Sequence, residues 1–185
     1  LYGTTSAGGD QNLGVVFQLD PAGHETVLYS FPCGTSGALP ESGLVQDGSG
    51  NLYGETPSSG AYGWGTVYEV SLSGTETVLH SFSGGSDGGY PGWKTGGLVQ
   101  DGAGNLYGTA TLGGDQNLGV VFRLDPGGNE TVLHTFIGPP TDGTGVYGVA
   151  GLVQDATGNV YGTTPGGGAY SEGTVFELKN GGPVP

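Results

Sequence analysis

Apolar positions along the chain alternate with polar ones for five or six residues and then stop at a turn. The segments VVFQL, TVYEV, VVFRL and TVFEL, at residues 15–19, 66–70, 120–124 and 174–178, show the pattern most clearly. Phe17, Tyr68, Phe122 and Phe176 share a face with Leu19, Val70, Leu124 and Leu178, while Val16, Val67, Val121 and Val175 point oppositely beside Gln18, Glu69, Arg123 and Glu177. A period of two is the period of a strand. Because both faces carry apolar side chains, each predicted sheet needs a neighbour on either side. No window places apolar residues at i, i+3, i+4 and i+7 over three turns, and Gly or Pro interrupts almost every ten residues. Essentially no helix is expected.

The pattern repeats. GLVQD recurs at Gly43, Gly97 and Gly151, 54 residues apart each time, and runs on as GLVQDGSGNLYGET, GLVQDGAGNLYGTA and GLVQDATGNVYGTT. A Gly-rich loop, a GTVYEV-like strand and TVLHSF or TVLHTF complete the unit. Each unit reads as four strands, in the second unit A (Gly43 to Asp47), B (Leu52 to Thr56), C (Thr66 to Val70) and D (Thr77 to Phe82), separated by Asp, Asn, Gly and Pro turns. Four antiparallel strands in about 50 residues match one blade of a β-propeller. The expected architecture is therefore all-β, a propeller-like tandem repeat of four-stranded antiparallel sheets. Residues 1–185 form one repeat domain with units at about 1–42 (lacking its first strand), 43–96, 97–150 and 151–185 (lacking its last). The open ends predict either a longer native chain or pairing with another chain. GGDQNLGVVF at Gly8 and again at Gly113, against GAYGWGTV and GAYSEGTV in the other two units, indicates duplication of a two-unit cassette.

The ordered motifs GLVQD-x-x-GN-LYGTT, Gly-rich loop, GTVF-x-L and TVLHSF resemble the GloVer tandem repeat of bacterial choice-of-anchor surface proteins. The resemblance covers nearly the whole chain. It implies a propeller-like fold and a secreted or cell-surface protein, and it brings no catalytic residue or general activity with it.

Only Lys94, Arg123 and Lys179 are basic, against 17 acidic residues, for a net charge of -14. That charge repels phosphate backbones and anionic lipid, so neither nucleic acid nor membrane is expected as a partner. No apolar run approaches the roughly 20 residues of a spanning helix. Cys33 is the only cysteine, which rules out an intrachain disulfide or a cysteine zinc cluster. The chain starts at Leu1 and is expected to be an excerpt or a processed product.

Aromatics outside the strand consensus are the first candidates for a binding surface: Tyr62, Trp64 and Tyr170 in B–C loops, and Tyr90, Trp93 and Tyr147 in D–A connections. Exposed rings can stack on sugars; they can equally cover blade ends or form a protein interface. Asp47, Asp101 and Asp155 open turns with oxygen ligands at alternate positions, a weak calcium pattern that lacks a bidentate Glu, so hairpin capping competes with it. Asn129, in the sequon Asn129-Glu130-Thr131, is a candidate glycosylation site. His80 and His134 stand where the first unit has Tyr29, which favours a packing role. Glu25, Glu76 and Glu130 repeat with the units, whereas Glu55, Asp87, Asp142 and Glu172 do not and sit in separate units. No GxSxG elbow is present. From the sequence the expectation is no enzymatic activity, no catalytic residue, no metal and no cofactor. The leading function is an extracellular structural scaffold that self-associates through open strand edges. Polysaccharide binding through the aromatic loops is the alternative, with a glycan-active enzyme behind it.

Overall fold

The computed structural model describes residues 1–32, 34–93, 96–144 and 151–179. Among them there is no α-helix. In the first unit β1 (Tyr2–Thr5), β2 (Val15–Leu19) and β3 (Glu25–Ser30) form an antiparallel sheet in that order. The second unit is a complete four-stranded sheet, β4 (Val45–Gln46), β5 (Leu52–Thr56), β6 (Thr66–Val70) and β7 (Glu76–Ser81). The third contains β8 (Gly89–Pro91), β9 (Val99–Gln100), β10 (Leu106–Leu112), β11 (Val120–Leu124) and β12 (Glu130–Thr135); β8 and β9 pair with different parts of β10. In the fourth, β13 (Gly143–Thr144) pairs with β16 (Gly166–Gly167), beside a sheet of β14 (Val153–Gln154), β15 (Val160–Thr164) and β17 (Thr174–Leu178).

Strands B, C and D thus lie where the alternation places them. Strand A contracts to the two residues Val-Gln, because only these hydrogen-bond to strand B. The D–A connections, which the alternation leaves outside any strand, pair with the following unit. Ala38 bridges Ser58, β8 pairs with β10, and β13 with β16.

Neighbouring sheets bury the two faces of strand C in a repeating way. Val16 and Phe31 meet Leu52, Tyr68 and Val70. Val67 and Phe82 meet Leu98, Leu106, Phe122 and Leu124. Val121 and Phe136 meet Leu152, Val160 and Leu178. At each boundary the Phe after strand D meets the next unit's strand C ring edge-on: Phe31 and Tyr68 at 5.1 Å, Phe82 and Phe122 at 5.1 Å, Phe136 and Phe176 at 5.6 Å. Such pairs add about 0.5–1.5 kcal/mol to the value of the area they bury.

Two close approaches explain glycines in the repeat. A Cβ on Gly108 would overlap the Phe122 ring of the paired strand, and Gly3, Gly54 and Gly162 face Phe17, Tyr68 and Phe176 alike. Between units backbone also meets backbone: Gly96 lies against Gly151, and a Cβ on Gly97, whose φ is +88°, would sit 3.0 Å from the Gly43 carbonyl oxygen.

Candidate functional site

The segment that enters each new unit passes between two loops. In unit 2 the Leu39 N–H donates to the Leu13 carbonyl at 2.9 Å, while Ala38 donates to Ser58 at 2.8 Å. In unit 3 the Tyr90 N–H donates to the Trp64 carbonyl at 2.9 Å, and β8 continues along β10. Leu39 and Tyr90 are thereby held in the left-handed region, at φ of 61° and 55°, although each is bulky and precedes proline. Backbone in this region costs about 1–3 kcal/mol for such residues and gathers at functional sites.

Both strained residues line one cavity. It measures about 450 Å³ and is bounded by Leu39, Glu41, Pro57, Ser58, Tyr90, Trp93 and Leu112. Its walls come from units 2 and 3. The Tyr90 and Trp93 rings form a corner, 5.9 Å apart and inclined at 50°, and Trp64 supports Tyr90 edge-on from behind at 5.1 Å. Trp64 itself packs over Gly84 and Gly89.

Of the aromatics singled out in the sequence, the fold therefore gathers Trp64, Tyr90 and Trp93. Tyr62 and Tyr170 stand exposed, at 66% and 89%, and do not border this cavity. Tyr147 lies outside the described residues.

Two residues before Pro57 of the cavity wall is a group that no sequence motif marks. Glu55 on β5 is 1% exposed and neither carboxyl oxygen has a hydrogen-bond partner; the buried Ser42 hydroxyl also lacks one. Burial pushes the Glu55 pKa up to about 8, and the nearby Ser42 hydroxyl offsets this only in part. Thr4, Thr109 and Thr163 occupy the matching position in the other units. That mismatch was the available signal.

Elsewhere the acidic side chains serve the repeat. The Asp101 carboxylate accepts the N–H groups of Ala103 and Asn105, the Asn105 side-chain amide and the Tyr107 hydroxyl, all at 2.8–3.1 Å. Asp47 does the same with Ser49, Asn51 and Tyr53, and Asp155 with Thr157, Asn159 and Tyr161. Desolvation raises the pKa of Asp47 and Asp101, but these donors outweigh it and leave both below the ordinary value; at Asp155 the Thr157 hydroxyl contributes most to the same result. The oxygens that would face calcium thus already hold the turn. No group of three or more His, Cys, Asp or Glu is placed to bind a metal among the described residues. Asn129 is exposed, and its side-chain amide donates to both Asp125 oxygens, at 3.1 and 2.9 Å.

Asp87 and Asp142, read as unrepeated, turn out to be equivalents, because each faces the histidine of its own strand D: His80 at 3.6 Å and His134 at 3.0 Å. The intervening segments differ in length, which hid the match. Burial lowers the His80 pKa against the pull of Asp87. Burial, aided by the Asp87 charge, raises Glu130 to about 7.

Stacked antiparallel sheets of three to five strands with apolar boundaries define a propeller-like repeat protein. The chain belongs to the Gloeobacter/Verrucomicrobia repeat family, whose pattern matches residues 1–184. No curated protein matches it. The fold is similar to that of a protein provisionally named a gluconolactonase, with 19% identity and a TM-score of 0.52 over 91% of this chain and 54% of that one. It is also similar to a protein of Bacteroides fragilis provisionally named a 6-phosphogluconolactonase, with 16% identity and a TM-score of 0.50 over 88% of this chain and 44% of that one. The chain thus spans about half the length of either structure. These likenesses establish the fold alone. They also correct the expectation of a chain without enzymatic activity, since proteins named as enzymes share this architecture.

Proposed function

We propose that the chain binds a saccharide in the cavity cornered by Tyr90 and Trp93. The observation that carries this reading is the pair of inclined rings at a pocket whose wall residues Leu39 and Tyr90 are held in strained backbone. Apolar C–H faces of a sugar stack on aromatic rings, and Glu41 and Ser58 supply polar groups for hydroxyls at the rim. Calorimetric titration with a panel of neutral oligosaccharides and sugar lactones tests it. Trp93→Ala is expected to weaken binding at least tenfold while Tyr170→Ala leaves it unchanged. Absence of binding across the panel, or an unaffected Trp93 variant, sinks the proposal. Lactones belong in the panel because of the names of the two fold relatives, and release of acid from them would add turnover to binding.

A scaffold role at the cell surface is the second reading. It is favoured by the repeat itself, whose successive units pack through one recurring apolar boundary that further copies could extend. Sedimentation over a wide concentration range checks it: growth of assemblies is expected, and a constant monomer counts against it.

A further inference from the structure

Glu55 is costly where it lies. An ionised carboxylate without a partner in the protein interior is penalised by several kcal/mol or more, so the group stays protonated when buried. Backbone approaches it closely. A Cβ on Gly92 would lie 3.1 Å from Oε2 and 3.1 Å from the Ser42 hydroxyl, and a Cβ on Gly108 would lie 2.9 Å from Oε1. The Gly92 turn therefore rests directly on the carboxyl, and no side chain intervenes.

Three residues of the cavity wall are chained to this contact. Trp93 follows Gly92, Glu41 precedes Ser42, and Pro57 is two residues from Glu55. Tyr90, two residues before Gly92, carries the strained backbone. Among the described residues, the titratable groups nearby are Tyr68 on β6, buried and raised further by the Glu55 charge after its own desolvation, and Glu41 at the rim of the cavity.

We infer that Glu55 is a positioning residue for the cavity: its uncharged carboxyl lets the Gly92 turn seat on β5 and sets the Tyr90–Trp93 corner, and loss of its proton unseats that wall. A bare carboxylate must be hydrated, and the Gly92 turn, which leads directly into Trp93 of the cavity wall, is the contact that a hydrating water would displace. Its role in ligand binding rests on the saccharide reading; the movement of the wall does not.

The only two tryptophans of the chain, Trp64 and Trp93, both belong to this corner, so intrinsic fluorescence reads the wall without any ligand. Titrated from pH 6 to 9.5, the wild-type chain is expected to show a change in tryptophan emission centred near pH 8 while far-UV circular dichroism stays constant. Glu55→Gln, neutral and of equal size, and Glu55→Thr, the residue of the sister units, should both be flat; Glu41→Gln should titrate like the wild type. A flat wild type, a Glu55→Gln variant that still titrates, or a midpoint that coincides with loss of the dichroism signal overturns the inference. If the titration behaves as expected and no sugar binds, the saccharide reading fails alone.

Discussion

Asp101 shows how one side chain can fix a turn: its carboxylate collects four hydrogen bonds from residues two, four and six positions on. Removing it in Asp101→Ala strands these donors and should lower unfolding free energy by about 1–3 kcal/mol, read from the denaturant midpoint. The signs of the pH dependence follow from the shifts. Asp47, Asp101 and Asp155 titrate below their ordinary value when folded, so the stability they confer is present above about pH 4 and is lost as pH falls through their folded pKa values. Glu55 and Glu130 titrate above theirs, near 8 and 7, so the folded state holds their protons longer and stability declines as pH rises from about 5 towards 8. Thermal melts across pH 3–9 should therefore peak at about pH 4–5. Glu55→Thr should flatten the alkaline side, and a melt that instead rises from pH 5 to 8 would contradict the assignment. Alignment of the units exposes Glu55 as the exception among Thr4, Thr109 and Thr163. Its burial was not legible there, because Gly92 and Gly108 come from other stretches of chain.

The strands were legible because alternation and repetition agree: β5 and β6 begin and end where the pattern of LYGET and TVYEV does. The pairings of β8, β13 and β16 were not. These strands have two or three residues, too few to show a period of two, and they exist only because the next unit offers an edge. For the same reason the cavity escaped sequence reading: its walls come from the entries to units 2 and 3 and from the B–C loops of those units. The glycine after each strand B tyrosine was visible as a motif, and its cause is the ring of the paired strand. Gly108→Val should force Phe122 off its place and cost about 1–3 kcal/mol, with reduced expression or an earlier thermal transition as the readout.

At the scale of the molecule, stability is distributed over boundaries between units. Phe82 is fully buried between units 2 and 3. Phe82→Ala is expected to cost about 3–5 kcal/mol and to split a single unfolding transition into two in calorimetry, since the halves then hold to each other less firmly than to themselves. Retention of one transition at the wild-type temperature would show that this boundary matters little. Where Gly96 lies against Gly151 and Gly97 against Gly43, neighbouring units meet main chain to main chain with little room for a Cβ. These contacts set how closely successive units approach, and a side chain at Gly96 or Gly151 would push the two units apart. The loops that line the cavity carry no such constraint, so consecutive units can diverge there in sequence without disturbing how tightly they converge.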